Sequence, residues 1–264
     1  MAIGLMIIGD EILSGKRTDQ HLPKLISLLK ARGLQLDWAE LVGDERSRIT
    51  ASLRKSFASG DIVFSCGGIG ATPDDHTRQC AASALGLELV LHPEAKQLIQ
   101  KRIGEMAAAE GKVADLHSAE NLHRLKMGEF PQGAAIVPNA FNTIPGFSIQ
   151  SHYFLPGFPQ MAGPMMEWVL DHYYSASFHQ TAWDEKSLLV YAIAESALTP
   201  LMEQLERDFP QIKIFSLPSV GDAHTRRHIE LGVKGEPQQV AAAFAALING
   251  LQPFQAEYTV LESK

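Results

Sequence analysis

Between Ile3 and Leu85 the chain alternates short apolar runs with amphipathic stretches, and this rhythm constrains the fold more than any other feature. Residues 3–8 (IGLMII) are apolar and stop at Gly9-Asp10, the pattern of a strand buried on both faces. Residues 19–32 place Leu22, Leu25, Ile26 and Leu29 on one helical face, and Gly33 follows as a stop signal. Residues 34–42 predict a second strand. Residues 47–59 carry Ile49, Leu53 and Phe57 at four-residue spacing, a second helix, and 61–65 (DIVFS) predict a third buried strand. A glycine-rich turn, Cys66 to Gly70, comes next, and then a helix from about Pro73 to Leu85. This order predicts an α/β fold: a three-layer α/β/α arrangement around a mostly parallel sheet.

Helices are further predicted over 94–109 and 119–126, strands over 134–138 and 152–155, and a helix from Pro156-Gly157-Phe158-Pro159 to about Tyr174. The order then changes. Strands are expected over 178–183, 188–194, 212–217 and 227–233, with helices over 196–209 and 237–251. The expected domains are 1–175, a small α+β domain over 176–254, and a tail over 255–264.

Composition removes several function classes. A chain of 264 residues that is 45% hydrophobic has ample material for a core. The formal net charge of -7 argues against a broad nucleic-acid surface. Two cysteines, Cys66 and Cys80, support neither a disulfide framework nor a cysteine-rich zinc site. No apolar run approaches the ~20 residues of a membrane span. The start, MAIGLMIIGDEI, has no basic region ahead of its apolar run. The expectation is a cytoplasmic protein that meets neither membrane nor nucleic acid.

In open α/β sheets ligands bind at the carboxyl ends of the strands, and three features converge there. The first is Gly9-Asp10-Glu11, whose carboxylates suit a hydrated divalent cation or, equally, a solvated acidic turn. The second is the stretch Ser65-Cys66-Gly67-Gly68-Ile69-Gly70-Ala71-Thr72-Pro73-Asp74-Asp75-His76-Thr77. Its glycines allow tight turns with amides open to an anion, and a helix start at Pro73 adds free N–H groups. Thr72 suits a cap or a phosphate contact. Asp74 and Asp75 repel a bare phosphate, which a bridging cation would reconcile. The loop lacks the third glycine of a dinucleotide fingerprint and the Gly-Lys-Ser/Thr of a P-loop. The third feature is a pair of turns, Thr143-Ile144-Pro145-Gly146 and Leu155-Pro156-Gly157-Phe158-Pro159, suited to closing over a ligand or to rigid structure alone.

Cys66 reads as packing rather than nucleophile. His21 and His76 flank the expected pocket, and no histidine shows metal-motif spacing. Trp38, Trp168 and Trp183 read as core or interface. Lys16, Arg17, Lys24, Arg46, Arg48 and Arg78 supply positive charge around the pocket.

The segments Ile8-Gly9-Asp10-Glu11-Ile12-Leu13-Ser14-Gly15, Gly67 to Thr77, Pro145-Gly146 and Leu155 to Pro159 resemble the MoaB/MogA-type molybdopterin-binding fold. More closely, residues 1 to about 170 resemble the amino-terminal portion of the competence/damage-inducible protein CinA family. The resemblance implies that Gly67, Gly68 and Gly70 hold the terminal phosphate of molybdopterin. It implies catalytic and metal-holding roles for Asp10 and Asp75. Ligand contacts from Gly9, Glu11, Thr72, Thr77, Asn139, Pro145, Gly146, Pro156 and Gly157 follow by the same likeness. Mg, Mn or Co and molybdopterin are the implied cofactor and ligand, and a homo-oligomer, dimer or trimer, the implied assembly. For CinA-like members the implied activity is metal-dependent hydrolysis of ADP-ribose to AMP and ribose 5-phosphate. Ile69 stands where MoaB-like proteins often have Thr. Lys16 to His21 stands where CinA-like proteins carry asparagines, and Asn142 where they carry glycine. With the small domain expected to end near residue 251, the family's carboxyl-terminal amidase domain is not expected within these 264 residues. Three readings stay open: a binder of a phosphorylated pterin or nucleotide, a metal-dependent ADP-ribose pyrophosphatase, and a non-catalytic oligomeric protein.

Overall fold

The computed structural model describes residues 2–180, 184–222 and 225–261. The chain divides into two compact units, with the division between Phe178 and His179.

The first unit begins β1 (Ile3–Ile8), α1 (Asp10–Leu13), α2 (His21–Lys30), β2 (Trp38–Val42), α3 (Arg46–Ser59), β3 (Ile62–Cys66) and α4 (Thr77–Leu85). It continues β4 (Leu89–Leu91), α5 (Pro93–Ala109), α6 (Ala119–Leu125), β5 (Glu129–Pro131), β6 (Ala135–Val137), β7 (Gly146–Ile149), β8 (His152–Leu155) and α7 (Pro159–Tyr173). Six strands form one sheet in the order β2-β1-β3-β8-β7-β6, while β4 and β5 pair separately.

The sheet is mixed: three of its five strand pairings are parallel, as expected of most of the sheet, and two are antiparallel. β2, β1, β3 and β8 run parallel, whereas β7 and β6 are antiparallel to their neighbours. The reason is local. Ile149 pairs with His152, so only Gln150 and Ser151 join β7 to β8, and so short a link joins only antiparallel strands. The sequence hid β7 because Pro145-Gly146 reads as a turn, while the structure uses Gly146 as the first residue of the strand.

Strand side chains alternate between faces, which splits the core in two. Ile3, Leu5, Ile7, Phe64, Tyr153 and Leu155 pack with Leu25 and Leu29 of α2 and with Met166 and Val169 of α7. Met6, Ile8, Val63 and Phe154 pack with Ile49 and Leu53 of α3, Ala81 of α4 and Ala95 of α5. Helices thus cover both sheet faces. In α2 it is Leu28, not Ile26, that joins the core, and Ile26 is 46% exposed. A step of 100° per residue aligns positions 25, 28 and 29 and leaves 26 off the stripe.

Buried His152 in β8 gives a pH-dependent term. Its ring lies 4.0 Å from that of Phe57, and its Nε2 is 2.9 Å from Ser56 Oγ. Burial pulls its pKa down to about 4, against a weaker opposing pull from Asp61. A group whose folded pKa is depressed protonates first in the unfolded chain. Stability is therefore full above the unfolded value near 6.5 and is lost as pH falls toward 4, by roughly 3 kcal/mol in all. Denaturant titrations across that window should show the slope, and His152→Phe should flatten it.

The second unit contains β9 (Asp184–Tyr191), α8 (Glu195–Asp208), β10 (Lys213–Ser219), β11 (His228–Gly235), α9 (Pro237–Leu251) and β12 (Tyr258–Val260). Its antiparallel sheet has the order β10-β11-β9-β12. Leu188, Val190, Leu231 and Val233 pack against Leu198 and Leu205 of α8 and Val240 and Leu247 of α9. Two expectations change here. The strand expected over 178–183 is not formed at Phe178–Gln180, which turns, and Thr181–Trp183 lie outside the described residues. The expected tail supplies β12, whose three residues pair with Leu188–Val190 and are too few to announce a strand.

Candidate functional site

Parallel pairing brings the motifs together. Ile7 pairs with Cys66, and Cys66 with Leu155, so the turns after β1, β3 and β8 leave the sheet at one edge. The Gly67 N–H donates to Leu155 O at 3.0 Å, and the Gly9 N–H to Val42 O at 3.0 Å.

Gly67 and Gly68 have φ of +107° and +67°. A Cβ on Gly67 would lie 2.1 Å from the Ile8 carbonyl oxygen, and one on Gly68 2.2 Å from Thr77 Oγ1. Only glycine fits both the torsions and the space. Thr77 is fully buried. It donates its hydroxyl to Gly67 O at 3.0 Å and its N–H to Gly68 O at 2.9 Å. Arg78, 3% exposed, donates Nη2 to Gly70 O at 2.6 Å and Nη1 to Lys126 O. His123 Nε2 lies 2.5 Å from Ala71 O. Four loop carbonyls are thus tied down. Among the described residues, the N–H groups of Gly68, Ile69, Gly70 and Ala71 meet no acceptor.

The helix after the loop starts at Thr77, not near Pro73. Asp74 and Asp75 therefore lie before it, not in its first turn. Asp75 Oδ2 accepts the Thr72 N–H at 2.8 Å and the Thr72 hydroxyl at 2.5 Å, and the Asp75 N–H returns to Thr72 O at 3.0 Å. This closed side-chain turn competes with the helix for the backbone, which explains the late start. Thr72 caps nothing: its polar groups hold Asp75. Replacing Asp75 by Ala should cost about 1 kcal/mol, and Asp75→Asn less, because an amide oxygen still accepts from Thr72. Thermal melts, with hydrogen exchange at Thr72, check this.

Asp10 begins α1 and is exposed. Its N–H donates to Asp44 Oδ2 at 2.9 Å, and the Asp44 N–H to Asp10 Oδ1 at 3.2 Å. Burial pushes the Asp44 carboxyl up, and the charges of Asp10, Glu11 and Asp74 push it further, while the Asp10 N–H bond opposes them. Sequence reasoning missed Asp44. The signal was present: Gly43-Asp44 follows β2, which pairs with β1, so the strand-end rule covers it too.

Other expected residues take structural places. Asn139 is buried and binds its own loop, donating to Asn142 Oδ1 at 2.9 Å and Ile144 O at 3.0 Å and accepting from the Phe141 N–H at 3.0 Å. Pro145 and Gly146 lead into β7 and are buried, and a Cβ on Gly146 would lie 2.3 Å from Phe154 O. Pro156 and Gly157 follow β8, and a Cβ on Gly157 would lie 3.4 Å from Gly67 Cα, so this turn flanks the glycine loop. Arg78, expected as charge around the pocket, lies beneath the loop. Burial pulls its pKa below the ordinary value, against Glu129 and Asp75. Cys66 is buried, and burial pushes its thiol far up, which removes it as a nucleophile. Trp38 donates to Asp61, and Trp168 stacks on His172. Trp183 lies outside the described residues.

A cavity of about 470 Å³ opens at the same sheet edge, lined among others by Glu11, Arg17, His21, Cys66, Gly157 and Gln160. Among the described residues no three His, Cys, Asp or Glu side chains are placed to hold a metal ion. No helix among them is long and apolar enough to cross a membrane.

With this geometry in hand, similarity to known proteins is specific. Residues 4–175 match the family described as "Probable molybdopterin binding domain". A CinA-like protein of Anaeromyxobacter sp. (strain K) is 32% identical over 177 residues, 65% of this chain and 41% of that protein. A CinA-like protein of Syntrophotalea carbinolica is 30% identical over 218 residues, 78% of this chain and 50% of that protein. The chain thus spans half or less of the length of these curated relatives. The crystal structure of CinA from Thermoplasma acidophilum, described as of unknown function, covers 64% of this chain and 96% of its own, with 26% identity and a TM-score of 0.54. An α/β unit with the glycine loop between β3 and α4, matched by the family model over residues 4–175, places this protein in the probable molybdopterin-binding domain family, with CinA-like proteins among its relatives.

Proposed function

We propose that the protein binds a phosphorylated small molecule, a pterin phosphate such as molybdopterin or a nucleotide, with its phosphate on the N–H groups of residues 68–71. One observation carries this reading: the loop's carbonyls are bonded to Thr77, Arg78 and His123, and among the described residues four successive amides are without acceptors. Fixed amide dipoles of this kind attract anions. Gly157 against Gly67 supplies a second wall, and Arg17 adds positive charge in the adjoining cavity. Calorimetric titration with molybdopterin, other pterin phosphates and ADP-ribose tests it. Binding by the wild type with loss in Gly68→Val supports the reading; no binding of any of them by the wild type ends it.

A second reading, metal-dependent ADP-ribose hydrolysis, draws on the crowding of Asp10, Glu11 and Asp74 around Asp44. A hard divalent cation relieves such crowding, and Mg commonly uses one or two carboxylates together with the substrate's phosphates. The carboxylates do not form a finished cage by themselves, and Asp75 is committed to Thr72. AMP release from ADP-ribose with Mg, Mn or Co, lost in Asp10→Asn and Asp44→Asn, is the expected result of this reading. A dimer or trimer, and a CinA-type role for the smaller unit, belong to the same proposal, and sedimentation velocity measures the assembly.

A further inference from the structure

The cavity beside the glycine loop contains a side chain with only one of its ring nitrogens engaged. His21 opens α2 and is 5% exposed. Its Nδ1 lies 2.9 Å from Asp19 Oδ1. Asp19 also accepts the backbone N–H groups of His21 at 3.0 Å and Leu22 at 2.9 Å. Burial alone would push the Asp19 carboxyl up, but these bonds outweigh it and hold it below its ordinary value. It is therefore ionised at neutral pH and can only accept. In its neutral form the imidazole facing it carries its proton on Nδ1, which leaves Nε2 as a bare acceptor. That Nε2 is buried and has no hydrogen-bond partner among the described residues. An unmet buried acceptor is destabilising, and a ligand donor would remove that cost.

His21 is one of the residues lining the cavity, with Glu11, Arg17, Cys66 and the start of α7. The cavity shares Gly157 with the flank of the glycine loop, so a ligand whose phosphate sits on the loop extends its organic part here. We propose that His21, with its ring set by Asp19, selects the ligand by accepting a hydrogen bond at Nε2 from a neutral donor on that organic part, a sugar hydroxyl or a ring N–H. The inference rests on the phosphate-loop reading for the ligand's orientation, and it deepens that reading by naming the group that recognises the rest of the molecule. The charged and titratable groups around the ring are Asp19 from its own turn, Glu11 and Arg17 from the α1 segment, and Cys66 from β3. The start of α7 offers Phe158, Pro159 and Gln160, none of which titrates, and Lys24 lies further along α2 against Gly163.

The test is calorimetric titration of the full chain with ADP-ribose and, separately, with a pterin phosphate. Wild type, His21→Phe and Asp19→Asn are compared, and ¹⁵N spectra of the histidine rings report the tautomer. His21→Phe should bind about tenfold more weakly than the wild type. Asp19→Asn keeps the ring but frees its tautomer, and should lose part of the affinity. The His21 ring should show the Nδ1–H form at high pH. Binding confined to ADP-ribose identifies the donor as a hydroxyl; binding confined to the pterin identifies it as a ring N–H. Wild-type binding that His21→Phe matches in affinity, or an Nε2–H ring, overturns this inference and leaves the phosphate-loop reading standing. Failure of the wild type to bind either probe overturns both.

Discussion

Replacing Gly67 by Ala is expected to cost about 2–4 kcal/mol of folding stability and to abolish ligand binding at the loop. Two costs add. The residue has φ of +107°, which a side chain rarely adopts, and its Cβ would lie 2.1 Å from a backbone carbonyl oxygen, that of Ile8. That carbonyl belongs to β1 at the centre of the parallel strands and cannot swing aside as a flexible side chain would. The melting transition of the larger unit should fall by roughly 5–15 °C. Gly15→Ala is the control, since Gly15 has φ of +72° with nothing within 4 Å of a Cβ. It should cost about 1 kcal/mol, the torsional part alone. Equal losses in the two variants would show that the contact with Ile8 relaxes freely.

Replacing Arg78 by Met is expected to cost about 3 kcal/mol. The buried guanidinium bridges Gly70 O, in the glycine loop, and Lys126 O, beyond α6. Met fills similar volume but leaves both carbonyls without a donor in a buried place. Arg78→Lys should recover only part of the loss, since one ammonium cannot reproduce the fork that reaches two carbonyls. Because Gly70 O is one of the groups that keep the loop amides facing out, affinity for any loop-bound anion should fall alongside stability, about tenfold in Arg78→Met. Urea titration and calorimetry on the same samples check both. Unchanged affinity in a folded Arg78→Met protein would show that Thr77 alone sets the loop.

The two variants also separate what was legible from what was not. The glycines were legible, because Gly67-Gly68 after an apolar run means positive φ and close approach wherever it occurs. The role of Arg78 was not. As a charged residue in the sequence it reads as a solvated or ligand-facing group, and only the fold brings the carbonyl of Lys126, 48 positions along, to its guanidinium. Asp75 misled for a related reason. Its spacing suits a first helical turn, but its bonds to Thr72 delay the helix to Thr77. Asp44 was legible by the strand-end rule and went unread. Asn139 reads as a ligand contact by resemblance, whereas its own loop uses its amide.

The run from β1 to α4 was written in local chemistry. Apolar runs, helical spacing, glycine stops and the glycine-rich turn each act within a few residues, so the sequence by itself determined the parallel strands, most of the helices that cover them and the loop that follows β3. Tertiary structure decided what depends on partners far along the chain. It set the antiparallel turn-back of β7 and β6, the burial of Arg78 under the loop, the meeting of Asp10 with Asp44, and the cavity where His21 keeps one nitrogen unpaired. The physical reason is range: torsions and amphipathic spacing are properties of neighbours, whereas burial, hydrogen-bond partnership and charge crowding exist only once distant residues have been brought together.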